Sequence, residues 1–117
     1  ISLHVPFNDQ TKNMISEKEL NTFKDDAMII NTSRGGIINE EDLYKVLMKN
    51  KLSGVALDVF ENEPYDGILS TVDRCLLTSH ISSMSRETRI NMEIEAVQET
   101  VRFLTNQPLS ALIPEQN

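Results

Sequence analysis

Arg34, Asp58, Glu63 and His80 are residues that hold anions or move protons, and each stands just past a short apolar run. Arg34 follows Ala27 to Ile30 after an abrupt switch to Asn31-Thr32-Ser33, and it precedes Gly35-Gly36. A guanidinium is a planar, two-pronged donor that matches a carboxylate. Paired glycines let the backbone turn sharply and come close to a ligand. A surface turn with a solvated arginine is the competing reading of the same residues. An imidazole such as that of His80 is the side chain best suited to exchanging a proton at neutral pH. A carboxylate beside it orients the ring and favours its protonated form. Glu61 and Glu63 compete for that place, and Glu61 also reads as simply solvated. Together, arginine, carboxylate and imidazole form a toolkit for proton transfer on a carboxylate-bearing substrate.

The elements that must position these groups follow from the patterning. Residues 1–5 alternate apolar and polar and are halted by Pro6, which predicts a strand ending near His4, itself read as a packing residue more than a catalytic one. Ser16 and Glu19 have capping-box spacing ahead of a short helix with Leu20 and Phe23 facing inward. The run at 27–31 is continuous, as expected of a parallel strand covered on both faces. Asn39 caps a predicted helix over 40–49 carrying Leu43, Val46 and Leu47. Residues 54–59 predict a third strand and 75–79 a fourth, in which Cys75 is a small buried hydrophobe. The connection at 60–74, with Pro64 and Gly67, is long for a plain loop. A last helix over 85–106 shows Ile90, Ile94, Val97, Val101 and Leu104 on one stripe, read as core or subunit interface, and Pro108 is expected to stop it.

Strands alternating with helices predict a mostly parallel α/β sheet with right-handed connections. In such a sheet ligands bind beyond the carboxyl ends of the strands. His4, Asn31 to Arg34, Asp58 with Glu63, and His80 all fall there.

Composition narrows the partners. The chain has 117 residues and a net charge of −7, which argues against nucleic acid or an anionic membrane surface as the main partner. Its one cysteine forms no internal disulfide, so a cytosolic setting is the default. It holds no apolar run of membrane-spanning length. Opening on Ile1, it reads as a piece of something longer.

Three ordered segments carry a resemblance: Asn-Thr-Ser-Arg-Gly-Gly at 31–36, Leu-Asp-Val-Phe-Glu-Asn-Glu-Pro at 57–64, and Leu-Leu-Thr-Ser-His-Ile at 76–81. With Leu-His-Val-Pro at 3–6 and Met-Ile-Ser at 14–16, they resemble the D-isomer-specific 2-hydroxyacid dehydrogenases, in particular their phosphoglycerate dehydrogenase-like branch. The resemblance implies a Rossmann-type sheet with flanking helices, present as a fragment. Residues 1–109 would be the C-terminal part of the NAD-binding domain, and 110–117 a tail leading back toward a substrate domain. It implies an oxidoreductase that uses NAD, with NADP also compatible, on a D-2-hydroxy acid or 2-oxo acid, without a metal, in a homodimer. By position, Arg34 would bind the substrate carboxylate, His80 would exchange the hydroxyl proton, and Glu63 would pair with His80. Asp58 would hold the nicotinamide carboxamide, with Thr32, Ser33, Ser82 and Ser83 around the nicotinamide and its ribose, and Val5 on the adenosine side. The same fold serves dinucleotide-sensing corepressors, and the formate-type branch differs by a glutamine where Glu63 stands. This chain departs from the usual pattern at Ser79, where the family has proline, and at Ser82 and Ser83, where it has glycines. The family's Gly-x-Gly-x-x-Gly loop and following acidic residue are expected upstream of Ile1.

Overall fold

The computed structural model describes residues 1–112, and the last five residues of the expected tail lie outside them. Residues 1–82 and the segment from Ser83 onward are two compact units. In the first, strands β1 (Ser2–Leu3), β2 (Met28–Asn31), β3 (Gly54–Leu57) and β4 (Cys75–Leu77) form one sheet in sequential order. Every pairing is parallel, with Asn31 in register with Leu57 and Leu57 with Leu77. The α/β expectation therefore holds, with shorter strands than the patterning predicts. β4 ends at Leu77, and the next residue, Thr78, donates its N–H to the Leu57 carbonyl at 3.0 Å and its hydroxyl to Asp58.

Helix α1 (Glu17–Thr22) begins at the expected capping box, where the Glu19 carboxylate accepts from the Ser16 N–H at 3.1 Å and hydroxyl at 2.6 Å. Helix α2 (Glu40–Met48) starts on the Asn39 side chain, which accepts from the Asp42 N–H at 2.9 Å. At its far end Arg74 donates to the Leu52 carbonyl at 2.8 Å and to Asn50 Oδ1 at 2.9 Å, tying the entry of β4 to the helix terminus. Leu20, Leu43, Val46 and Leu47 are fully buried against Ile29, Val55 and Leu57.

Within this chain one face of β2 is covered. Right-handed connections between strands that step in one direction place all the connecting helices on one face. Ile29 and Asn31 point under that layer, whereas Met28, Ile30 and, on β4, Leu76 are exposed. His4 is likewise exposed, its Nε2 bonded to the Ser2 hydroxyl at 2.8 Å, so it packs into nothing.

The long 60–74 connection is organised. The rings of Phe60 and Tyr65 stack with centroids 4.1 Å apart, and a single 3₁₀ turn spans Ile68–Thr71. In the second unit, helix α3 (Arg86–Leu104) is capped by Ser85, which accepts from the Thr88 N–H at 3.1 Å. It ends four residues before Pro108, at a left-handed Asn106 with φ 52°, where the Gln107 N–H returns to the Arg102 carbonyl at 2.8 Å. Its aliphatic stripe is exposed from Ile90 to Leu104, so it is no core of this chain.

Candidate active site

The carboxyl ends of β2, β3 and β4 lie side by side at the spacing of neighbouring strands, about 4.8 Å apart. The loop after β2 is built on Asn31, a buried amide at 2% exposure. Its Oδ1 accepts from the Ser33 N–H at 3.1 Å and the Ser33 hydroxyl at 2.9 Å, while its Nδ2 donates to the Arg34 carbonyl at 2.9 Å. The Asn31 carbonyl also takes the Asp58 N–H at 2.9 Å, linking this loop to the next. An amide that leaves no polar atom unpaired fixes a loop at modest net cost, and losing one partner strands the others. Asn31 falls among the strand-end residues read from sequence, but its part in holding the loop was not read there. The signal was present, since an Asn at the end of an apolar run with Ser two residues on is the pattern of an Asx turn.

Arg34 is held by its backbone alone. Its guanidinium is exposed, donates to the neighbouring Ser33 carbonyl at 2.6 Å, and makes no ion pair among the described residues. The sharp turn read from the two glycines beyond it is present at Gly36, while Gly35 serves a close approach within the chain. A Cβ on Gly35 would stand 1.9 Å from the Phe60 carbonyl oxygen, so this position lets the Arg34 loop lie directly on the backbone after β3. Gly36, at φ 74°, is in the left-handed region, with the Phe7 ring 2.8 Å from where a Cβ would be. The close approach is to the protein's own main chain.

Glu63 and His80 meet. His80 Nδ1 and Glu63 Oε2 are 2.9 Å apart, and the other Glu63 oxygen accepts from the Phe60 N–H at 3.0 Å. The His80 hydrogen bond, with that of Phe60 second, holds the Glu63 carboxyl below the usual carboxylate range, so Glu63 is ionised at neutral pH. Nε2 carries no protein hydrogen bond among the described residues, which leaves one ring nitrogen bound to the carboxylate and the other available. Glu61, the competing carboxylate, contributes its N–H to Glu40 at 2.8 Å, and its side chain is exposed. The structure therefore brings Glu63, and not Glu61, to the imidazole. Glu63, Pro64, Tyr65, Leu77, Thr78 and His80 are among the residues lining a cavity of about 560 Å³.

Asp58 is buried at 3% exposure with no cation beside it. Its Oδ1 accepts from the Thr78 hydroxyl at 2.5 Å and the Ile81 N–H at 2.8 Å, and its Oδ2 from the Ser82 N–H at 2.8 Å. Burial alone would raise its pKa, but the hydrogen bonds from Thr78, Ile81 and Ser82 outweigh it and pull the value down to about 2. Thr32, Asp58, Thr78, Ile81 and Ser82 border a second, shallower hollow of about 250 Å³ on the same strand ends. Its mixture of an apolar floor, Ala56 and Leu76, with hydroxyl and amide groups at the rim suits a flat heteroaromatic amide. These residues fit the nicotinamide end of a dinucleotide, whereas the chain has no glycine-rich loop for the pyrophosphate. Val5 is half-buried against the core after β1, and Ser83 is an exposed residue that opens the second unit.

Known proteins agree with the geometry. The family described as D-isomer specific 2-hydroxyacid dehydrogenase, NAD binding domain, matches residues 1–82. A glyoxylate reductase of Korarchaeum cryptofilum is 38% identical over 105 residues, 88% of this chain and 32% of that protein. D-3-phosphoglycerate dehydrogenase of Escherichia coli K12 is 35% identical over 112 residues, 91% of this chain and 27% of that protein. The crystal structure of a glyoxylate reductase from Paecilomyes thermophila superposes with a TM-score of 0.90 at 37% identity, covering 99% of this chain and 36% of that one. The chain thus spans about a third of the length of the curated relatives it matches. With a match over most of its length and the signature residues gathered on one sheet edge, the chain belongs to the D-isomer specific 2-hydroxyacid dehydrogenase family, as part of its NAD-binding domain.

Proposed function

We propose that this chain supplies the proton-transfer and carboxylate-binding side of an NAD-dependent oxidoreductase that interconverts a D-2-hydroxy acid and its 2-oxo acid. The observation that carries this reading is the His80–Glu63 pair at 2.9 Å, with Glu63 itself pinned by the Phe60 N–H. In the oxidative direction His80 takes the hydroxyl proton at Nε2, and in reduction it returns that proton to the carbonyl oxygen. Glu63 holds the ring through Nδ1 and leaves Nε2 for the substrate. Arg34 grips the substrate carboxylate and sets the reacting carbon against the cofactor. When bound, NAD supplies or accepts the hydride. Thr32, Ser33, Asp58, Ser82 and Ser83 would hold the nicotinamide and its ribose, and Val5 would line the adenosine side. Within this reading residues 1–109 are the C-terminal part of the NAD-binding domain, and 110–117 lead back to a substrate domain.

The finer assignment is to the phosphoglycerate dehydrogenase-like branch, acting in the cytosol as a homodimer. The exposed aliphatic stripe on α3 supports a subunit contact, and the single cysteine supports a reducing compartment. The reading is tested by assaying the intact protein with NADH against glyoxylate, hydroxypyruvate and 3-phosphohydroxypyruvate. Saturable oxidation of NADH with at least one of them is expected. Tight NADH binding without turnover of any would replace the enzyme by a dinucleotide sensor.

A further inference from the structure

Asp58 lies at the end of β3, yet the donors found on its carboxylate belong to one short segment after β4. Thr78, Ile81 and Ser82 bracket His80 on both sides, at 2.5, 2.8 and 2.8 Å. His80 itself has φ 56°, in the left-handed region that non-glycine residues seldom adopt. Such a conformation persists only where its surroundings over-determine it. Here the over-determination is a buried anion whose charge is met by three hydrogen bonds in place of a cation. Two further anchors hold the segment, the Thr78 N–H on the Leu57 carbonyl at 3.0 Å and the Glu63 contact at the His80 ring.

We propose that Asp58 is a positioning residue for His80, whose carboxylate fixes the left-handed turn that presents the imidazole to Glu63 and to the substrate. The inference rests on the oxidoreductase reading for its kinetic consequences, but the clamp itself needs no cofactor. The Thr78 and Ser82 hydroxyls and the Ile81 and Ser82 N–H groups take up about the four lone-pair positions of the carboxylate, so a nicotinamide amide would take the place of the Ser82 hydroxyl. The two roles predict different losses. A cofactor contact acts on NADH affinity, and a clamp acts on turnover. With a folded-state pKa of about 2 the carboxylate stays ionised throughout the working range, so the clamp does not loosen with pH near neutrality. Ser82 adds a hydroxyl that also stabilises the Asp58 charge, a contribution the glycine usual in the family lacks.

The test compares Asp58→Asn, Thr78→Val and Thr78→Ser with the wild type in the intact protein. It measures kcat for glyoxylate reduction, the NADH Kd by fluorescence titration, and the imidazole proton and nitrogen signals of His80 by NMR at fixed pH. Expected are losses in kcat of about 100-fold for Asp58→Asn and about tenfold for Thr78→Val, with the NADH Kd changed less than about threefold. Thr78→Ser, which keeps the hydroxyl, should restore kcat and the His80 signals. Asp58→Asn raising the NADH Kd with kcat intact, or Thr78→Val matching the wild type in kcat and in the His80 signals, would overturn the proposal. Should the wild type reduce no 2-oxo acid, the enzyme reading fails, and the NMR comparison of wild type with Thr78→Val still decides the clamp. Displaced His80 signals then support it, and unmoved ones refute it.

Discussion

His80→Gln in the intact protein should lower kcat for 2-oxo acid reduction by about 10³-fold while leaving NADH affinity within a small factor. Glutamine keeps much of the volume and a hydrogen-bonding end but cannot deliver a proton. Adding Glu63→Gln to this variant should cost little further, because Glu63 acts through the imidazole and the two behave as one unit. The pair is half-exposed, with His80 at 49% and Glu63 at 36% of side-chain surface accessible, so its contribution to stability is small. Calorimetric melting curves of wild type and single mutants should therefore nearly coincide while the rates diverge. A double mutant tenfold slower than His80→Gln alone would give Glu63 a separate role.

Arg34→Lys should lower kcat/KM for the 2-oxo acid by about 100-fold, again with NADH binding intact. Lysine keeps the charge and loses the planar fork that fixes a carboxylate in two places at once. The loop should not collapse, since it is held by the Asn31 side chain on the Ser33 and Arg34 backbone and by the seat of Gly35 on Phe60, none of which involves the guanidinium. Steady-state kinetics with tryptophan-independent NADH titration separates the two effects. An unchanged rate and Michaelis constant would reject Arg34 as the substrate's anchor.

Much of the frame was legible because it depends on local chemistry. The Ser16–Glu19 box, the Asn39 cap and the apolar spacing of α2 are signals within a few residues of each other, and each appears in the structure as read. The places of the strands were legible too, as apolar runs that stop at polar residues, although the strands are shorter than those runs. What stayed hidden depends on contacts distant in sequence. Gly35 faces Phe60, 25 positions away, so its close approach looked like room for a ligand. Asp58 engages Thr78, Ile81 and Ser82, at least 20 positions on, so these contacts have no sign among its own neighbours. The left-handed His80 has no local signature at all, because its conformation is imposed by those same bonds.

The central claim is that the carboxylate on His80 is Glu63 and that it holds the ring in place through Nδ1. It is tested most directly by steady-state 2-oxo acid reduction and NADH titration in the intact wild type, Glu63→Gln and Glu61→Gln. Glu63 is held ionised by its hydrogen bonds to His80 and Phe60, and glutamine removes that charge while keeping the side chain's shape. The kcat of Glu63→Gln should therefore fall by at least about tenfold with NADH affinity unchanged, and Glu61→Gln should match the wild type. An unchanged kcat in Glu63→Gln together with a lowered one in Glu61→Gln would contradict the account.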